Sequence, residues 1–327
     1  MYWAFMDLEK AYDRVDRKAL WDVLRMYGVG GRLLKAVQSI YVDSRACVRV
    51  GTEVSEWFPV KVGLRQGCVM SPWLFNVYMD GVVQEVYVRA MGAGVDLAGG
   101  LRVSQLLFAD DTALVAESEK DLQVLVTEFG RVCYRRKLKV NVGKSKVLRC
   151  SRDGTVGGVS VFLYNEMLEE VGSFKYLGSF VAANGGVEED VRQRVGEGCK
   201  TMGVLNGLFK CRSLHMEVKR GLYEGVVVPT VLYGAESWGL KVQERNRLNV
   251  FEMRCLRSMC GVTRMDRVRN DEVRRRSGVK TELAERVDES VLRWFGHVMR
   301  MSEERLTKRV WSTKVNRNRV RRKHMYG

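Results

Sequence analysis

Residues 106–116 read LLFADDTALVA, and the fold class turns on this stretch. Apolar runs stand on either side of two adjacent carboxylates, Asp110 and Asp111. The pattern predicts two short strands joined there in a hairpin. Glycine or asparagine is the easy choice for a two-residue turn, and neighbouring carboxylates repel one another. A local rule broken this way points to function. The plainer alternative is a polar turn with no further role.

Working outward, residues 2–8, YWAFMDL, have the same character: short, aromatic-rich and apolar, with Asp7 near the end. A carboxylate in an apolar strand is costly unless it is paired or bound to a metal; capping the next helix is the bland alternative. Three carboxylates with no Cys or His cluster nearby suit a hard cation, Mg2+ or Mn2+, held through oxygens. Two such ions about 4 Å apart can activate an attacking hydroxyl and stabilise a leaving oxygen.

The remaining pattern is mixed. Ala11, Val15, Ala19, Leu20, Val23 and Leu24 recur at helical spacing, and Gly28 stops that helix. Leu33, Leu34, Val37 and Ile40 mark a second helix. A hairpin is predicted around Gly51-Thr52. Ser71-Pro72 reads as a helix start, serine as cap and proline in first position. Ser118 and Asp121 resemble a capping box. Strands are predicted near 145–150, 159–164 and 174–181. Beyond about residue 186 helical patterns dominate to about 302. The predicted joint is AANGGV, residues 182–187. The expected division is therefore an α+β domain over 1–185, a helical region over 186–304, and a basic, disordered tail over 305–327.

Bulk properties narrow the partner. The 327 residues carry 55 Lys and Arg against 39 Asp and Glu, a net charge of +16. Such a balance favours a polyanion, nucleic acid being the commonest, over an ordinary basic enzyme. With 46% hydrophobic residues there is material for a real core. Eight cysteines form no CxxC pair and lack histidines at zinc spacing. They read as reduced thiols in an intracellular compartment. No apolar run reaches the ~18 residues of a membrane span.

Several blocks, taken in order, are similar to the motifs of reverse transcriptases of the non-LTR (LINE-type) retrotransposons. FMDLEKAYDRVD (5–16) resembles motif A. GLRQGCVMSPWLFNVYMD (63–80) resembles motif B, and FADD (108–111) motif C. LKVNVGKSKVL (138–148) resembles motif D, and FKYLGSFV (174–181) motif E, the primer grip. VVPTVLYGAESW (227–238) and LRWFGHVMRM (292–301) resemble segments that follow the polymerase motifs in many animal elements.

The resemblance implies a reverse-transcriptase-like palm, an antiparallel sheet with packed helices, followed by a mainly helical thumb. It implies RNA-directed DNA synthesis on an RNA template, a DNA primer and dNTPs, with two Mg2+ ions (Mn2+ also suits the site). Asp7, Asp110 and Asp111 would be catalytic and hold the metals, helped by the Leu8 carbonyl. Tyr12 would be the steric gate beneath the incoming sugar, or else simply a core aromatic. Gln66 and Gly67 would lie along the nucleotide and the template base. Arg65 would meet phosphate, unless it is merely solvated. Lys144 would protonate pyrophosphate, unless it is a surface lysine. Lys175, Tyr176, Leu177 and Gly178 would hold the primer end, against the alternative of an ordinary edge strand. The family also implies fingers and an endonuclease elsewhere in a longer polyprotein, and a location in nucleus and cytoplasm. A palm and thumb segment is thus expected; the alternative is a nucleic-acid-binding remnant without catalysis. A DNA-templated polymerase fits motif B and FADD poorly.

Overall fold

In the computed structural model of the chain, residues 1–97, 100–151 and 157–312 are described. The chain divides into two compact units, Met1–Gly172 and Ser173–Gly327.

The first unit is built on a five-stranded sheet. Its strands are β1 (Tyr2–Met6), β2 (Gln105–Phe108), β3 (Asp111–Ala116), β4 (Lys146–Arg149) and β5 (Glu169–Glu170), in the order β5-β4-β1-β3-β2. All neighbours are antiparallel except β4 and β5, a two-residue parallel pairing at one edge. The two-residue period of strands sorts the side chains. Ala4, Met6, Leu114, Ala116 and Val147 join the main core, while Phe5, Ala113, Val115 and Leu148 are buried on the other face.

Three principal helices complete this core: α1 (Arg17–Met26), α2 (Ser71–Arg89) and α3 (Glu119–Arg135). Helix α2 buries Phe75, Tyr78, Met79, Val82 and Val86 completely. At roughly 1.5–3 kcal/mol for each large apolar side chain taken from water, this helix is a major source of the unit's stability. The Tyr78 hydroxyl keeps a partner inside by donating to the Arg136 carbonyl at 2.7 Å. Burial pushes its phenol up to about 12. Helix α3 starts as expected, with Ser118 Oγ accepting from the Asp121 amide at 3.0 Å.

Some expected elements differ. The helix read through residues 11–24 is broken in two, because Asp16 caps the second half by accepting from the Lys18 and Ala19 amides. Ser71 lies one position inside its helix, which has no side-chain cap; its buried hydroxyl meets Tyr41 Oη at 3.2 Å instead. The strand expected at 159–164 shrinks to Phe162–Leu163, paired with Glu166–Met167.

The second unit opens with a hairpin, β6 (Ser173–Tyr176) and β7 (Ser179–Ala182). The segment 174–181 was expected as one strand. It reverses at Leu177-Gly178, both left-handed with φ of 49° and 84°, the conformation of a tight primed turn. Helices follow: α4 (Glu188–Lys210), α5 (Val242–Met259), α6 (Asn270–Ser277) and α7 (Leu283–Arg300). Their core includes Phe209, Tyr223, Trp238, Leu248 and Phe251. Inside it, fully buried Glu252 accepts from Tyr223 Oη at 3.1 Å and from Arg274 at 2.6 Å, so its charge is neutralised where water cannot reach.

The division at 172/173 falls before the expected 185/186, because the hairpin is tied to α4: Asp190 in the first turn accepts from the Phe180 amide at 3.1 Å. The expected tail begins with a helix, α8 (Leu306–Ser312). Lys308 is buried there and donates to the Met299 carbonyl at 2.9 Å, near the end of α7. The remainder of that expected tail, residues 313–327, lies outside the described residues. No helix among the described residues is long and apolar enough to cross a membrane.

Candidate active site

The central strand delivers Asp7. In the antiparallel ladder between β1 and β3, Phe5 faces Ala113 and Met6 faces Thr112. One further step along that register sets Asp7 against Asp111. The ladder between β2 and β3 ends on Phe108 and Asp111. The two-residue turn is therefore Ala109-Asp110, one position earlier than the sequence suggested, and Asp111 is the first residue of β3. Ala109 takes the left-handed conformation, φ 54°, which costs roughly 1–2 kcal/mol without glycine. The hairpin thus spends stability to carry a carboxylate at its tip.

The three charges are within reach of one another. Desolvation raises the Asp111 carboxyl above its usual range, and the charges of Asp110 and Asp7 raise it further. The donors are all oxygens, the chemistry a hard cation requires. Among the described residues, no three His, Cys, Asp or Glu side chains are gathered into a ligand cluster.

The raised Asp111 carboxyl has a consequence for stability. The folded chain holds that proton to higher pH than the unfolded chain does. Stability from this group is therefore present at low pH and lost as pH rises from the usual Asp range, about 4, through the raised folded value. Asp111→Asn is expected to stabilise the chain at pH 7, by only a few tenths of a kcal/mol because the residue is exposed. The gain should shrink below about pH 4. Urea unfolding at both pH values checks this; a variant less stable at pH 7 would contradict it.

The segment resembling motif D holds the end of the central strand. The Asn141 amide donates to the Asp7 carbonyl at 2.8 Å, and the Glu9 amide to the Lys139 carbonyl at 2.8 Å. Leu8 bridges to Val140 between these bonds, neither of which uses its own carbonyl. Buried Ser145 accepts from the Asp7 amide at 3.2 Å and donates to the Asn141 carbonyl at 2.8 Å. Asn141 and Ser145 were not singled out in the sequence, although both lie inside LKVNVGKSKVL. Lys144 is exposed; its amide donates to Asn141 Oδ1 at 3.2 Å. The hydrogen bond from Lys139 is the main cause that lowers the Glu9 carboxyl, and the charge of Lys144 is a smaller one.

Tyr12 stands beside the carboxylates. Its ring stacks on Phe75 at 4.2 Å and 13°. Burial raises its phenol, and the Asp110 charge raises it further. The loop before α2 is bonded to the same turn: the Leu64 amide donates to the Tyr12 carbonyl at 2.9 Å, and the Gly63 amide to the Val15 carbonyl at 2.9 Å. Gly63 has φ 79°, and a Cβ there would lie 2.7 Å from the Asp13 carbonyl oxygen. No other residue fits that approach. Arg17 fixes the loop from below, donating to the carbonyls of Gly63, Val60 and Val62. Gly63 and Arg17 also escaped the sequence reading; only the glycine-rich pattern hinted at the first. Gln66 extends from this loop to donate to Asp13 Oδ1 at 3.1 Å, and Gly67 is open to solvent.

Asp7, Tyr12, Gln66, Asp110 and Asp111 are thus linked through one turn and three strand ends. Arg65 turns elsewhere, toward Ser44 Oγ at 3.3 Å and over the Tyr41 ring at 6.0 Å. Lys175, Tyr176, Leu177 and Gly178 belong to the second unit, at the turn of its hairpin.

Comparison with known proteins identifies the family. Residues 1–181 match the family model described as reverse transcriptase (RNA-dependent DNA polymerase). A retrovirus-related Pol polyprotein from a type-1 R2 retrotransposable element of Nasonia vitripennis is 27% identical over 54% of this chain and 18% of its own length. The RNA-directed DNA polymerase from the mobile element jockey of Drosophila melanogaster is 24% identical over 82% of this chain and 29% of its own. The chain therefore spans less than a third of either relative. Among solved structures, apo telomerase from Candida tropicalis overlaps 95% of this chain and 53% of its own, at 11% identity and a TM-score of 0.44. That likeness is too loose to add to the family match. The chain belongs to the reverse transcriptase family, and within it to the kind encoded by non-LTR, LINE-type retrotransposons.

Proposed function

We propose that this chain is the palm and thumb of an RNA-directed DNA polymerase, which extends a DNA primer with dNTPs on an RNA template. The observation that supports this reading is the strand register, in which β1 ends at Met6 opposite Thr112, so that Asp7 follows it beside the start of the strand that opens on Asp111. The primer 3′ oxygen forms a bond to the α-phosphorus of the dNTP as the bond to the pyrophosphate oxygen breaks. Asp7, Asp110 and Asp111 would hold two Mg2+ ions, with Mn2+ as a substitute. Bound there, the ions supply charge neutralisation at the attacking and leaving oxygens.

The chain's own residues do the positioning. Tyr12, fixed against Phe75, fills the space a ribose 2′-hydroxyl would need. Gln66 and Gly67 lie along the nucleotide, glycine allowing close approach of a base. Lys144 delivers a proton to departing pyrophosphate. Lys175, Tyr176, Leu177 and Gly178 hold the primer terminus. The test is primer extension on an RNA template with Mg2+ and with the metal chelated. With a fingers segment of the family supplied, in cis or as a second chain, metal-dependent extension on RNA is expected; extension on DNA templates alone would contradict the reading.

Nucleic-acid binding has support within the second unit. A groove of about 720 Å3 between α4 and α5 is floored by Met202 and Met253 and lined by Lys210, Arg254, Arg257 and Arg264, with no carboxylate. Among the described residues, Lys210, Arg254 and Arg264 make no ion pair, while Arg245, Arg274 and Arg286 of the same unit are all paired. Replacing Lys210, Arg254 and Arg264 by alanine should flatten the dependence of log K on log salt by about 0.9 for each duplex phosphate that is no longer neutralised. Binding should weaken alike for all sequences. An unchanged slope would leave the groove without this role.

A further inference from the structure

The segment 227–238, VVPTVLYGAESW, has no part in the chemistry described so far. We propose that it locks the turn of the 173–182 hairpin against helix α4, and that Arg194, Asp190, Tyr233 and Trp238 are positioning residues for the primer terminus. This rests on the reading of Lys175–Gly178 as the primer grip.

The lock has two ends. At the tip, Arg194 donates to the Gly178 carbonyl and lies over the Tyr233 ring, 4.4 Å from its centroid. The Tyr233 hydroxyl reaches the Leu177 carbonyl at 3.5 Å. Both turn carbonyls are thereby engaged by one stacked cation–aromatic pair, an arrangement that restricts both partners. The contact is tight in each direction. A Cβ on Gly178 would stand 3.1 Å from Tyr233 and 3.3 Å from Arg194; one on Gly234 would stand 2.5 Å from Ser179 Oγ. Both glycines have positive φ, 84° and 77°, so the two segments meet glycine to side chain at both positions.

At the base, Asp190 is 3% exposed and has both oxygens engaged. One accepts from the Phe180 amide at 3.1 Å, the other from the indole N–H of buried Trp238 at 2.7 Å. A carboxylate in the first turn of a 23-residue helix is favoured by the helix dipole. It joins strand, helix and the end of the 227–238 segment. The hairpin has only four residues in each strand and one partner strand, and such a ribbon does not hold its own shape in water. External fixation of this kind is what would keep its left-handed turn in one attitude, and a primer end must be placed to within about 1 Å for reaction.

The test uses the full chain and does not require catalysis. Hydrogen–deuterium exchange is read at residues 177–180. Affinity is measured by fluorescence anisotropy for an RNA–DNA duplex with a recessed primer 3′ end and for a blunt duplex of equal length. Arg194→Met and Trp238→Phe are each expected to speed exchange at the turn and to lower the preference for the recessed end by about 5-fold, roughly 1 kcal/mol. Arg194→Lys, which keeps a donor and a charge, should restore most of that preference. Blunt-duplex affinity should not move, which separates positioning from general unfolding. Exchange unchanged in both variants would overturn the lock. Faster exchange with an unchanged preference, while Lys175→Ala loses it, would overturn the positioning role alone. If Lys175→Ala also keeps the preference, the primer-grip reading itself fails.

Discussion

Asp110→Asn is expected to reduce primer extension by at least on the order of 10²–10³-fold while leaving affinity for primer–template nearly unchanged. Asp110 is exposed at the tip of the hairpin, and no hydrogen bond or ion pair from its side chain contributes to the fold among the described residues. The substitution keeps size and shape, so the turn should persist. What is lost is one negative charge and one strong oxygen donor. Removing a single electrostatic stabiliser of a developing charge typically costs this much, because a preorganised site has nothing to replace it. Binding, in the reading proposed above, rests on cations such as Lys210 and Arg254, which are untouched. Single-turnover extension and anisotropy on the same preparations check the split. A variant within a few-fold of wild type in rate would remove Asp110 from the catalytic set.

Tyr12→Ala is expected to relax discrimination against ribonucleotides by about one to two orders of magnitude. The ring owes its fixed position to stacking on Phe75 at 4.2 Å, and Phe75 is itself fully buried. The Tyr12 carbonyl is also tied to the Leu64 amide. A wall held in this way excludes a hydroxyl by contact rather than by affinity, so removing it should raise rNTP use with little change for dNTPs. The ratio of kcat/KM for dNTP and rNTP is the measurement. A constant ratio would leave Tyr12 as a packing residue between α2 and the turn at residues 11–14.

Much of the fold was legible because its signals are local. The apolar runs flanking Asp7 and Asp110-Asp111 are unusual enough to identify two strand ends, and the blocks between them fix the order of the parts. What escaped depends on contacts between distant residues. Asp16 breaking a continuous helical pattern is a capping preference overriding periodicity. Leu177 in a left-handed turn has no local signature, since only Gly178 beside it suggests a reversal. Arg17 looked like any surface arginine, yet it holds three carbonyls of the loop that carries Gln66. Ser145, fully buried beneath Asp7, was invisible for the same reason: a serine's role is set by its burial, and burial is a tertiary property. The position of the turn, Ala109-Asp110 rather than Asp110-Asp111, moved by one residue because strand register is decided by pairing partners, not by composition.

The central claim is that Asp7, Asp110 and Asp111 form one metal site. Mn2+ binding followed by electron paramagnetic resonance, in the presence of primer–template and dNTP, tests it directly. About two ions per chain should bind to the wild type, and Asp7→Asn and Asp110→Asn should each abolish at least one of them. Mn2+ binding of equal stoichiometry and strength in a variant with all three aspartates changed to asparagine would contradict it.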